Sequence, residues 1–269
     1  MSAGPQPAVS HDSILLTHAE AAPRAYLLLH GLTASPRQFE ALGRQLYERG
    51  ANVYIPRLPR HGLADRLTTE LEGLTADELR SFALASLGFA RTLGPRLQVV
   101  GFSLGGLLAA WLAQRAAFDR VTCIAPLLGV AWLPRRFTGQ ATKLAKQLPN
   151  QFLWWDPILR ERQLPAHGYP RFPTHVVAEA LQLAHEVLAG AARDGPAARD
   201  VQIVLNASES AVSNVEVRRL AALWSARKGN RIVLHRLRGL PPSHDILEPL
   251  RSPLVAGRVI AALLDLVER

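Results

Sequence analysis

The sequence predicts an α/β domain, a parallel sheet with helices on both faces. Two observations carry this reading. Six short apolar, β-prone runs are spaced along the chain at 25–29, 52–55, 97–100, 121–125, 201–205 and 231–237. Continuous apolar runs of this kind suit strands covered on both faces. Helical patterns lie between them, and regular alternation of strand and helix is the α/β signature.

The helices announce their ends. Ser35-Pro36 with Gln38 reads as an N-cap, a first-turn proline and a capping-box partner, and Gly50 closes that helix. Thr75 with Glu78 opens the next, which ends at Gly94-Pro95. A helix over 104–115 follows the third strand. Ser213 with Glu216 opens another, closing near Gly229, and Ser252-Pro253 opens the terminal helix. Residues 1–12 read as a frayed end. The stretch 129–198 breaks the alternation, with helical pieces and Pro- and Trp-rich sequence but no strand signal. It is too long for an ordinary crossover, so it reads as an inserted cap. The division is a core over 1–128, a cap over 129–199 and the rest of the core over 200–269.

Composition narrows the function. A chain of 269 residues, 48% hydrophobic and 20% charged, fits one large globular domain and excludes disorder, collagen and coiled coil. The net charge is +9, and 28 of the 31 basic residues are Arg. They are scattered, never more than two in a row, whereas a nucleic-acid footprint clusters on one face. The single cysteine, Cys123, lies in an apolar run and excludes an intrachain disulfide framework. The first basic residue is Arg24, so no basic leader region precedes an apolar one. No apolar run reaches the ~18–20 residues of a membrane span. The expectation is a cytoplasmic protein without stable membrane insertion. There is no Walker A motif, no G-x-G-x-x-G, no H-E-x-x-H and no Cys/His cluster, so neither cofactor nor metal is expected. The oligomeric state is not set by the sequence.

Chemistry concentrates at three places. Gly101-Phe102-Ser103-Leu104-Gly105 sits where a strand turns into a helix. That context makes it a nucleophile elbow, a sharp turn that presents the serine hydroxyl and leaves no room for neighbouring Cβ atoms. His30-Gly31 ends the first long apolar strand, so the Leu32 N–H projects toward the same sheet edge and joins the Leu104 N–H as an oxyanion hole. His30 would orient that loop. Ser243-His244-Asp245 follows the last strand, and His244 comes after Ser103, as the order serine, acid, histidine requires.

These segments resemble the α/β-hydrolase family, and within it the bacterial carboxylesterase and monoacylglycerol-lipase branch. The landmarks are Leu-Leu-Leu-His30-Gly31-Leu-Thr, Pro56-Arg-Leu-Pro-Arg-His61-Gly62, Gly-Phe-Ser103-Leu-Gly-Gly and Ser-His244-Asp, in the family's order. The likeness spans about residues 25–265, with Arg60 where the branch usually has glycine. It implies a mainly parallel eight-stranded sheet, a mainly helical cap and hydrolysis through an acyl-enzyme. It also implies a triad acid in the loop after the strand at 201–205. There the usual aspartate position holds Ser210, and Glu209 is the only carboxylate in that loop. Glu209 is therefore the candidate acid; the alternative is a weakened or missing one.

The implied substrate is a small ester with an apolar acyl group, cleaved by Ser103, His244 and Glu209. A catalytically weakened binding protein, or a thioesterase, acyltransferase or peptidase, shares the same signature. Phe152, Trp154 and Trp155 in the cap either line an acyl pocket or fasten the cap to the core. Arg135, Arg136, Lys143 and Lys146 read as a solvated cap face, or as a surface for anionic substrates or lipid.

Overall fold

In the computed structural model the chain forms, in order, strands β1 (Ile14–Leu16), β2 (Arg24–Leu29), β3 (Asn52–Ile55), β4 (Arg96–Phe102), β5 (Arg120–Ile124), β6 (Phe152–Trp154), β7 (Arg171–Pro173), β8 (Asp200–Asn206) and β9 (Arg231–Leu237). The helices are α1 (Glu40–Glu48), α2 (Ala76–Ala90), α3 (Leu104–Ala113), α4 (Arg135–Gln147), α5 (Thr174–Arg193), α6 (Asn214–Ser225) and α7 (Pro253–Glu268). The structure describes residues 12–165, 167–227 and 229–268. Of the segment 1–12 expected to fray, residues 1–11 lie outside these.

Seven strands make one sheet in the order β1-β3-β2-β4-β5-β8-β9. Every pairing is parallel except that of β1 with β3. All six expected strands are present. The sheet has seven strands among the described residues rather than eight, and its edge strand β1 escaped notice because it is only three residues long beside the tail. The central strands are covered on both faces. Tyr26 of β2 reaches the Val267 carbonyl of α7 with its hydroxyl, and α1 presses Gly43 onto Leu28, Val53 and Ile55. On the other face α2, α3, α5 and α6 pack against one another. All ten residues of α3 are buried, as befits a helix apolar all round.

Between β5 and β8 the chain carries α4, β6, β7 and α5. Here the expectation of a strand-free segment is corrected, because β6 and β7 form an antiparallel pair, Phe152 opposite Pro173 and Trp154 opposite Arg171. Strands of three residues are too short for periodicity to reveal. Arg66 fastens this region to the core: its guanidinium donates to the carbonyls of Glu161, Gln163, Pro165 and Gly168. α4 has no buried residue, whereas α5 is buried along one side from Val176 to Ala191.

Two helix starts follow their sequence signals. Thr75 Oγ1 accepts the Glu78 N–H and Ser213 Oγ accepts the Glu216 N–H. The capping box expected at Ser35 does not form. A 3-10 turn over Pro36–Phe39 precedes α1, Ser35 makes no cap, and the side chains of Ser35 and Gln38 are engaged in longer-range contacts described below.

Candidate active site

Ser103 stands between β4 and α3 with φ 56 and ψ −114. A non-glycine residue there is strained, and the strain is held by close backbone packing. A Cβ on Gly101 would lie 2.0 Å from the Gly105 carbonyl oxygen, and one on Gly105 would lie 1.9 Å from the Leu29 carbonyl oxygen. The Ser103 N–H donates to the Ile124 carbonyl of β5, which fixes the turn to the neighbouring strand.

His244 lies in the loop between β9 and α7, and its Nε2 is 2.8 Å from Ser103 Oγ. Its Nδ1 is 3.0 Å from Oε2 of Glu209, in the loop after β8. The Glu209 side chain is fully enclosed, and its other oxygen accepts the N–H groups of Ala211 at 2.8 Å and Val212 at 3.4 Å. Burial alone would raise this carboxyl, but the hydrogen bond and charge of His244 and the two amides outweigh it and hold Glu209 below the ordinary carboxylate value. An ionised Glu209 accepts from Nδ1–H, which leaves Nε2 free to accept from Ser103. The imidazole stacks on Phe102 at 4.9 Å between centroids.

Ser210, the residue after Glu209, donates its hydroxyl to the Pro242 carbonyl at 2.6 Å. Asn206 Nδ2 donates to the Pro241 carbonyl at 2.9 Å. These two bonds brace the loop that carries His244.

The loop after β2 is held from several sides. The Gly31 N–H donates to Gln38 Oε1 at 2.9 Å, and the Thr33 N–H donates to His61 Nε2 at 3.1 Å. His61 in turn donates from Nδ1 to the Pro59 carbonyl. His30 accepts the Leu58 N–H on Nε2 and donates from Nδ1 to the Gly31 carbonyl. Both rings are buried and must be neutral to accept in this way. Burial, with the adjacent His61 ring, pushes His30 well below the ordinary imidazole value, and burial takes His61 down to about 4. Among the described residues, the Leu32 amide between these two anchored neighbours has no recorded internal acceptor. The Leu104 N–H, first in α3, has no acceptor within its helix. A third histidine, His167, meets Ser35 Oγ with Nδ1 at 2.9 Å and lies 3.0 Å from Glu248 Oε2 with Nε2, all three side chains being buried.

A cavity of about 570 Å3 opens beside Ser103 and His244 and runs under the segment between β5 and β8. That is within the usual range of small-molecule sites, ~300–1,000 Å3. Its walls are mainly apolar, with Leu127, Leu133, Leu153, Phe172, Val177 and Leu181 among them.

The structure thus brings Ser103, His244 and Glu209 into one hydrogen-bonded line, with the Leu32 and Leu104 backbones beside it. Of the aromatics Phe152, Trp154 and Trp155, the last lines the cavity and donates from Nε1 to Thr33 Oγ1 at 2.8 Å. Phe152 and Trp154 are not brought into the site; their rings lie 4.4 and 5.9 Å from the Arg171 guanidinium. The two-residue period of β6 separates them, since alternate side chains point to opposite faces. The parts played by Gln38, His61 and His167 were not legible as such. Only the His61-Gly62 landmark hinted at the second.

A family model described as the alpha/beta hydrolase family matches residues 26–255. Solved structures agree on the fold. One, reported for the metagenome-derived lipolytic enzymes LipS and LipT, is 17% identical with a TM-score of 0.71 and covers 97% of this chain and 100% of its own. A monoacylglycerol lipase from Paleococcus ferrophilus is 19% identical, TM-score 0.67, covering 94% and 98%. A soluble variant of monoglyceride lipase from Saccharomyces cerevisiae, in complex with a substrate analogue, is 16% identical, TM-score 0.66, covering 93% and 89%. With the parallel sheet, the strained serine turn and a match over most of its length, the chain belongs to the alpha/beta hydrolase family.

Proposed function

We propose that the protein is a serine hydrolase of carboxylic esters that works through an acyl-enzyme on Ser103. The observation that carries this is the line Ser103 Oγ, His244, Glu209, closed at 2.8 and 3.0 Å. Ser103 Oγ attacks the ester carbonyl carbon as His244 Nε2 takes its proton, and Glu209 stabilises the imidazolium. The tetrahedral oxyanion is met by the Leu32 and Leu104 amides at the positive end of α3. The carbonyl reforms, the alkoxide leaves with the proton from His244, and water attacks the acyl-enzyme by the same route to release the acid. No cofactor takes part.

Residues 129–199 act as the cap, and the apolar walls under it receive the acyl group. The names of the lipolytic and monoacylglycerol-lipase neighbours favour an ester over an amide. A fluorophosphonate probe tests the reading: it should label the wild-type protein at Ser103, located by peptide mass spectrometry. An unlabelled serine would overturn it. A series of p-nitrophenyl esters of increasing length, run beside a thioester and an aminoacyl amide, then ranks the leaving groups, with turnover of the esters expected to be highest.

A further inference from the structure

The Gln38 side chain is buried, 4% exposed, and does not serve its own helix. In a capping box it would reach back to the N–H of Ser35. Instead its two ends join two distant loops. Oε1 accepts the Gly31 N–H at 2.9 Å, next to Leu32, and Nε2 donates to Asp245 Oδ1 at 3.0 Å, next to His244. Asp245 has Arg251 3.6 Å from its other oxygen.

The two loops come from the ends of β2 and β9, separate strands of the sheet with β4, β5 and β8 lying between them. Gln38 joins them at Gly31 and Asp245, the neighbours of Leu32 and His244, whereas His167 meets the same two loops farther along, at Ser35 and Glu248. We propose that Gln38 is a positioning residue, a strut that keeps the Leu32 amide in register with His244 by accepting from Gly31 and donating to Asp245. This deepens the ester-hydrolase reading and rests on it. Attack at Ser103 needs the base and the oxyanion donor in place together, and a displacement of about 1 Å costs on the order of 10²-fold in rate. Gln38 and Asp245 form part of the cavity wall but stand outside the line of Ser103, His244 and Glu209, so loss of the strut should appear mainly in kcat.

The polarity of the amide supplies the test. Gln38→Glu still accepts from Gly31 but sets a carboxylate against that of Asp245. With p-nitrophenyl butyrate, kcat should fall about tenfold or more while KM stays within about twofold. Adding Asp245→Asn reverses the pair, because the new amide donates to the new carboxylate, and kcat should recover most of the loss. Gln38→Met removes both bonds, should lose as much as Gln38→Glu, and should gain nothing from Asp245→Asn. Asp245→Asn alone is the fourth corner of the cycle.

Wild-type kcat in both Gln38 variants would overturn the proposal, as would a loss carried by KM or one that Asp245→Asn does not relieve in Gln38→Glu. If Gln38→Glu does not fold, the double variant decides: near wild-type kcat supports the strut, whereas kcat as low as Gln38→Met, or failure to fold, overturns it. Fluorophosphonate labelling of wild-type Ser103 separates the two readings. An unlabelled wild type refutes the hydrolase assignment itself, and a labelled one with indifferent Gln38 variants refutes only the strut.

Discussion

Glu209 Oε2 lies 3.0 Å from His244 Nδ1, across 35 residues of chain. The extra methylene of glutamate and the turn of the loop account for the reach. The Ala211 and Val212 amides clasp one oxygen and aim the other at the imidazole, while Ser210 is turned to the Pro242 carbonyl.

Glu209→Gln should therefore slow ester turnover by a factor on the order of 10⁴ while leaving the fold intact, because an amide stabilises neither the right tautomer nor the imidazolium. Adding Ser210→Asp should not restore the rate, since that side chain faces a carbonyl rather than His244. Steady-state kcat of the single and double variants, with circular dichroism as the folding control, checks both statements. Substantial recovery in the double variant would mean that the loop can re-aim.

Ser103→Ala and His244→Ala should each abolish measurable ester hydrolysis in the folded protein. Their effects should not multiply in the double variant, because residues that act as one unit lose their contribution together. Progress curves with high enzyme concentration would expose the residual rates. Multiplying losses would mean that His244 does not serve Ser103.

Trp155→Ala enlarges the cavity and removes the bond to Thr33, whereas Trp154→Ala removes a ring packed beside Arg171. The ratio of kcat/KM for p-nitrophenyl octanoate to that for the butyrate should shift in the first variant and hold in the second. Equal shifts would mean that the whole β6–β7 pair, rather than the Trp155 ring, shapes the acyl site.

His61 links stability to pH. Its buried ring titrates at about 4, below the ordinary 6.5, so between these values the unfolded chain binds a proton that the folded one refuses. Stability is then complete above about pH 6.5 and is lost as the pH falls toward 4, by about 3 kcal/mol for this one residue. Urea unfolding at pH 7 and pH 5 should show the drop. His61→Gln, which keeps an acceptor for the Thr33 N–H, should flatten it; an unchanged pH slope would shift the effect to other groups such as His30.

What the sequence makes legible is what local sterics and continuous burial dictate. The strand at 25–29 is apolar at every position because both faces are covered, and the Ser103 turn must be flanked by glycine because backbone occupies the space a Cβ would need. What stays hidden depends on partners far along the chain. Ser35 and Gln38 carry a capping-box pattern, yet they are drawn to His167, Gly31 and Asp245, each outcompeting a local bond. Glu209 stands out as the one carboxylate of its loop, but its approach to His244 is a contact across 35 residues that the sequence does not reveal. β6 hides because three residues give too little alternation to read, and with it the opposite facing of Trp154 and Trp155.

The glycine contacts around Ser103 set the mutational tolerance of this turn. Positions 101 and 105 have no room for any side chain, because each Cβ would collide with a main-chain carbonyl that belongs to the elbow helix or to β2. A randomised library spanning 101–105 would thus spend most of its members on proteins that cannot close the turn. Diversity placed at cavity positions such as Leu133, Leu153 and Leu181 alters walls made of side chains and leaves the Ser103 backbone untouched. For engineering, the invariant part of the site is main chain and the adjustable part is the side-chain wall of the cavity.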